Sequence, residues 1–207
     1  MSLPVAPAGC LKDLRSSLED AVPVALRQVV GERSDFSTGT VRIVCCPEAL
    51  LVRADLRDGE VFTRATGDSQ YFWEMGDVFE IFLEADGAGY YTEMHVAPGN
   101  HRMHMRIRPE DYLSMKAGVL TPADLMVRPP EFESRCEVVP GGWVVEAVVP
   151  VEAVQPCGKI SGDSRWRASF CRYDAGSDGL VPVLSSTSCH QGKINFHARA
   201  DWRTLCF

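Results

Sequence analysis

The sequence predicts an all-β protein: an antiparallel β-sandwich, jelly-roll-like, with one or two short helices. Three observations predict it. Runs rich in β-branched and aromatic residues recur along the chain, separated by clusters of Gly, Pro and Asp. Helical periodicity is scarce. The 207 residues show no internal repeat and no convincing linker, so the whole chain, 1–207, reads as one domain with residues 1–40 as an N-terminal extension packing on it.

Taken in order, the expected strands are Val41–Cys46, Leu50–Leu56, Val78–Glu84, Tyr90–Val96, Arg102–Ile107, Glu131–Val139, Gly142–Val149, Arg165–Tyr173 and Trp202–Phe207. Short helices are expected in "LKDLRSSLEDAV" near the start and "PEDYLSMKAG" near the middle.

Composition narrows the function classes. Hydrophobic residues at 45% are enough for a real core, and a net charge of −7 without a Lys/Arg block repels phosphate backbones, so nucleic acid is not an expected partner. No run approaches the roughly eighteen apolar residues of a membrane span. "MSLPVAPAGCLKDLRSSLED" has neither a basic n-region nor a continuous apolar h-region; either a cytoplasmic chain or one lacking its leader is expected. The eight cysteines include no CxxC pair, and several fall inside apolar runs ("VRIVCC", "ASFCRY", "TLCF"), where a free thiol behaves as a small hydrophobe.

"GDVFEIFLEADGAGYYTEMHVAPGN" (residues 76–100) reads as a hairpin. Strand alternation puts Phe79, Ile81 and Leu83 on a core face and Val78, Glu80, Phe82 and Glu84 on the other. With a four-residue turn, Ala85 to Ala88, Glu80 is expected opposite Glu93, Phe82 opposite Tyr91, and Val78 opposite His95. Beside Glu84, that face then carries two facing carboxylates, an imidazole and two rings. Repelling carboxylates need a cation, a hydroxyl-rich ligand or water between them. A ladder of Glu–Arg pairs with Arg167 or Arg172 explains the same letters. Arg172 has two readings, as a ligand-orienting group or as a partner of Glu80 or Glu146.

Other constellations were weighed. "HVAPGNHRMHM" places His95, His101 and His104 around two methionines; haem ligation and a strand edge with two core Met residues both account for it. Alternation puts His101, Met103 and Met105 on one face and His104 on the other. Glu80 and Glu93, about 5 Å apart at their β-carbons if directly opposite, are the one carboxylate pair suited to acid–base hydrolysis. "EADGAG" is expected to be an ordinary turn, with a structural calcium held by Glu84, Asp86 and carbonyls as the alternative. No G-x-S-x-G, HExxH or P-loop pattern occurs. No catalytic residue, cofactor or metal ligand is assigned.

Four segments in order resemble the family 9 carbohydrate-binding modules and related DOMON-like sandwiches: "YFWEMGDVFEIFLEADGAGYYTEMHVAPGN", "GGWVVEAVVPVEAV", "WRASFCRYD" and "FHARADWRTLCF". The resemblance spans about residues 41–207. It implies a non-catalytic module that recognises a mono- or oligosaccharide by aromatic stacking and by hydrogen bonds from charged groups. Carried over position by position, it implies Trp73 and Phe196 as the aromatic pair, Glu80 as the acidic residue, and Glu93, His95 and Asn195 as polar contacts; Arg172 joins this expected carbohydrate-binding set on its ligand-orienting reading above. It also implies an extracellular or periplasmic location and a fused or associated glycosidase. A haem-binding DOMON-type electron-transfer domain, or a sandwich serving as an interaction domain without a ligand, are the alternatives. The chain departs from the pattern at Trp73, one residue further from Glu80 than usual, at Thr187 in place of a Trp, and at Arg203 in place of a Gly.

Overall fold

The computed structural model describes residues 11–29, 34–155, 159–179, 181–190 and 194–207, with side chains from Ser16 onward. Among these, the strands are β1 (Val24–Ala25), β2 (Arg27–Gln28), β3 (Gly39–Cys46), β4 (Ala49–Arg57), β5 (Val78–Ala85), β6 (Tyr91–Ala97), β7 (His101–Ile107), β8 (Glu133–Val139), β9 (Gly142–Pro150), β10 (Arg165–Asp174), β11 (Val183–Ser186) and β12 (Arg203–Cys206). The helices are α1 (Leu11–Asp20), α2 (Pro109–Lys116) and α3 (Val151–Val154). One antiparallel sheet runs β1-β3-β4-β9-β8; the other runs β2-β11-β10-β5-β6-β7, with β12 also paired to β10. This is the expected all-β sandwich. All nine anticipated strands are present, their ends moved by at most two residues.

The sheets are held by the apolar faces that alternation predicts. Phe79, Ile81 and Leu83 of β5 meet Val41, Val52, Trp143 and Val145 of the opposite sheet in one cluster, all fully buried. Phe79 stacks on Phe170 at 6.4 Å between centroids. On the far side of the first sheet, Leu18 of α1 packs against Val44, Cys46 and Leu51. Cys45, Cys46 and Cys171 are buried, as apolar context suggested; Cys10 and Cys157 lie outside the described residues.

β11 was not anticipated. Its "VLSS" lacks an apolar run because Ser186 is satisfied inside the sheet by a serine of β10: Ser186 Oγ lies 3.0 Å from Ser169 Oγ, and both are fully buried. β1 and β2 have two residues each, too few for any periodic signal.

The hairpin register is corrected by two residues. Glu80 pairs with His95 and Phe82 with Glu93, where Glu93 and Tyr91 were expected. The turn begins one residue later than assumed. Ala85 is kept in the ladder, paired with Trp166 and buried in the inter-sheet core, and the chain reverses through Gly87 and Gly89, both at positive φ. A shift of two preserves the side-chain faces, so Glu80, Glu93 and His95 still share one.

That face is not an open sheet surface. A second apolar cluster covers it, built from Val78, Phe82, Tyr91, Met103 and Met105 of the sheet and Phe72, Phe196 and Trp202 of flanking segments. Tyr112 and Met115 of α2 pack against the same cluster. α2 is placed there by Pro109 at its first turn and by Asp111, whose carboxylate accepts the Arg108 backbone N–H at 3.1 Å.

Candidate functional site

The floor of the site is the β5–β6 hairpin. Glu80 is 2% exposed, Glu93 4% and His95 0%. His95 Nε2 lies 2.8 Å from Glu93 Oε1 and 3.3 Å from Glu80 Oε1, so one imidazole nitrogen serves both carboxylates. The carboxylates are therefore bridged across the register, not directly opposed. Glu80 Oε2, Glu93 Oε2 and His95 Nδ1 are buried without a hydrogen-bond partner. Burial pushes Glu80 up to about 8, with Glu93 adding to the rise and His95 opposing it. Glu93 lies below the usual carboxylate range: burial opposes its charge, and His197 and His95 outweigh it.

The walls come from three other segments. The short 3-10 turn Phe72–Glu74, closed by Met75 N–H on the Phe72 carbonyl, sends Phe72 inward and leaves Trp73 half-buried. Trp73 stacks on Tyr71 at 5.1 Å and stands edge-on to His95 at 5.6 Å. From the C-terminal segment come Asn195, Phe196 and His197. Asn195 Oδ1 accepts the Tyr112 hydroxyl at 3.0 Å and the His197 N–H at 3.1 Å, which ties this segment to α2. His197 stacks on Tyr112 at 4.6 Å, is hydrogen-bonded through Nδ1 to the Tyr91 hydroxyl at 2.9 Å, and lies 3.6 Å from Glu93 Oε2. Burial holds His197 below the usual histidine range.

Together these segments enclose a cleft of about 360 Å³ lined by Trp73, Glu80, Phe82, Glu93, Tyr112, Asn195, Phe196 and His197, among others. That volume suits a small-molecule ligand. A larger groove, about 550 Å³, lies on the outer face of the other sheet. Its central charges pair with one another: Arg42 and Arg53 bind Asp55 at 2.9 and 2.8 Å, and Arg53 binds Glu146 at 3.1 Å. It offers rows of satisfied surface ions, whereas the smaller cleft offers buried unsatisfied acceptors.

Of the residues singled out from the sequence, Trp73, Glu80, Glu93, Asn195 and Phe196 line the cleft, and His95 sits beneath it. Phe196 is almost fully buried, with its ring against Phe82, Tyr173 and His190, so it presents an edge more than a platform. Arg172 does not belong to the group. Alternation along β10 turns it to the opposite face, where it donates to the Arg57 carbonyl at 2.6 Å and to Asp58 at 2.9 Å, with Asp174 at 3.2 Å. Neither Glu80 nor Glu146 is its partner. The histidine cluster is also divided. His95 belongs to the carboxylate pair; His104, on the other face, packs edge-on to Phe132 and accepts the Glu131 N–H. Met103 and Met105 are core residues. Glu84, considered for calcium, pairs with Arg199 at 2.5 Å and Arg167 at 3.7 Å.

Tyr112, Tyr173 and His197 were not singled out. His197 had a signal, since it is the second letter of the "FH" opening the last quoted segment; only the Phe was taken from it. Tyr112 had none, because its helix is distant in sequence from the hairpin. Thr187 and Arg203, the two departures in the C-terminal part, prove to be neighbours: Arg203 Nε donates to the Thr187 carbonyl at 2.5 Å. Both line a different cavity, of about 290 Å³, between the sheets.

The chain has the fold of the family 9 carbohydrate-binding modules. Neither a protein-family model nor a curated protein sequence matches it. Solved structures do. A protein from Bacteroides uniformis to which carbohydrate binding is ascribed superposes with a TM-score of 0.77 at 18% identity, covering 100% of this chain and 98% of that one. A family 9 module from Caldicellulosiruptor kristjanssonii is similar in its complexes with cellotriose (TM-score 0.65, 15% identity, 100% and 93% covered) and with glucose (0.66, 13%, 100% and 94%). At these identities the likeness shows the fold.

Proposed function

We propose that the protein is a non-catalytic sugar-binding module whose ligand enters the cleft over the β5–β6 hairpin. The observation that carries this reading is the pair of buried carboxylates, each with an oxygen that accepts no hydrogen bond, at the floor of a cleft walled by aromatic side chains. Vicinal hydroxyls supply the donors those oxygens lack, while C–H faces of a pyranose pack on rings such as Trp73 and Tyr112. Anions are repelled by Glu93, whose carboxyl is held below the usual range. Similarity to a module seen in complex with glucose and with cellotriose supports the same ligand class.

Trp73 provides the test. It is half-buried and lines the cleft, whereas Trp143, Trp166 and Trp202 are buried and do not line it, so ligand stacking acts directly on one tryptophan. A panel of neutral mono- and oligosaccharides is expected to give a saturable fluorescence change with at least one member, absent in Trp73→Phe. No response to any sugar, with Trp73 still quenchable by iodide, overturns the proposal.

A further inference from the structure

Among the described residues, two groups of side chains bring three metal-ligating atoms within 4.8 Å of one another: Glu80, Glu93 and His95, and Asp58, Asp77 and Asp174. The second group already holds a cation that cannot leave, since Arg172 lies 2.9 Å from Asp58 and 3.2 Å from Asp174. Both Asp77 oxygens there accept backbone N–H groups, from Phe62 and Ala175. In the first group the ion pairs of the carboxylates are with imidazoles, His95 and His197. An imidazole can exchange its proton for a metal ion; a guanidinium cannot.

Two further observations point to a cation in the first group. Glu80 and Glu93 are each more than nine-tenths buried, yet each keeps an oxygen without a hydrogen-bond partner while lining the cleft. The spacing also fits. His95 Nε2 stands 2.8 and 3.3 Å from the two carboxylates, and neighbouring ligands on a four-coordinate ion with bonds of about 2.0–2.1 Å lie about 3.3 Å apart. We propose that Glu80, Glu93 and His95 form a binding site for a first-row divalent cation, zinc foremost, with three protein ligands and an open position towards the cleft. One imidazole and two carboxylates suit zinc or its neighbours; calcium prefers more oxygens at longer distances. The open position would take a ligand oxygen, so the site makes sugar recognition metal-assisted. The inference shares its residues with the sugar-binding reading, but it stands on their geometry alone.

The test is a calorimetric titration of Zn²⁺ into chelator-dialysed protein without sugar. One equivalent is expected to bind, weakened at least tenfold in His95→Ala and Glu93→Gln and unchanged in Asp174→Asn, which reports on the Arg172 cluster. No saturable uptake, or uptake unaffected by His95→Ala, overturns the proposal. Should the variants fail to fold, Co²⁺ added to the wild type decides: intense visible bands of a four-coordinate ion support the site, and the weak spectrum of hydrated Co²⁺ rejects it. Because sugar is left out, a metal failure leaves the sugar reading intact, and the converse holds.

Discussion

His95 Nε2 lies 2.8 Å from the carboxylate of Glu93, two residues away on the same face of β6, and both side chains are almost completely buried. The imidazole is what permits two carboxylates in this apolar setting. Removing one partner of a buried ionic group leaves the others uncompensated, at a cost of about 3–5 kcal/mol. His95→Ala is therefore expected to lower the unfolding free energy by about that amount in urea titrations at pH 7. The double variant Glu93→Gln/His95→Gln should recover part of the loss, because it removes the charged carboxylate as well as its partner.

Arg172 gives the complementary case. Its guanidinium joins Asp58, Asp174 and the Arg57 carbonyl at the end of the inter-sheet core, on the face away from the cleft. Arg172→Ala is expected to destabilise by about 3–5 kcal/mol. The ligand affinity of the folded fraction should stay within about twofold of wild type. A large affinity loss without a stability loss would place Arg172 in the site after all.

His104 sets an acid limit on stability. The Glu131 backbone N–H donates to its Nδ1, so the neutral ring carries its proton on Nε2, and the charged ring would lose that bond. Burial, with help from Arg106, pushes His104 from the ordinary 6.5 down to about 3. The sign follows. Between these values the unfolded chain binds the proton and the folded chain does not, so this stabilisation is complete above about pH 6.5 and is lost as pH falls towards 3. His104→Gln is expected to flatten the fall in stability between pH 6.5 and 4, measured by thermal melts across that range.

The sandwich was legible because its strands alternate. Phe79, Ile81 and Leu83 announce a core face, and the two-residue error in the hairpin left that face intact. The register itself was hidden in the choice of turn residues, which hinges on Ala85 belonging to the core. The site was half legible. Glu80, Glu93 and His95 stand out as charges in strands, and Trp73, Asn195 and Phe196 followed from resemblance. What covers them did not stand out. Tyr112 reaches the site from a helix whose own pattern is weakly amphipathic, and His197 depends on a loop whose path no local periodicity encodes. Arg172 misled because a charged residue in a strand carries the same letter whether it faces a ligand or Asp58.

Ligand stacking and folding separate at two aromatic positions. Phe79→Ala removes a ring from the inter-sheet core and is expected to destabilise by about 3–5 kcal/mol. Trp73→Ala removes a half-buried ring at the cleft edge and is expected to change stability far less. Paired urea titrations of the two variants check this contrast.

The most direct measurement is calorimetric titration of glucose and cellotriose into the wild type, Trp73→Ala and Glu93→Gln. A hydrogen bond to a charged group is worth about 1.5–3 kcal/mol, or roughly 10- to 150-fold in affinity. The account predicts saturable heat in the wild type, a loss of at least tenfold in both variants, and near-native affinity in Asp174→Asn. Absence of saturable heat with either sugar or any other neutral sugar in the wild type, or undiminished affinity in Trp73→Ala and Glu93→Gln, would contradict it.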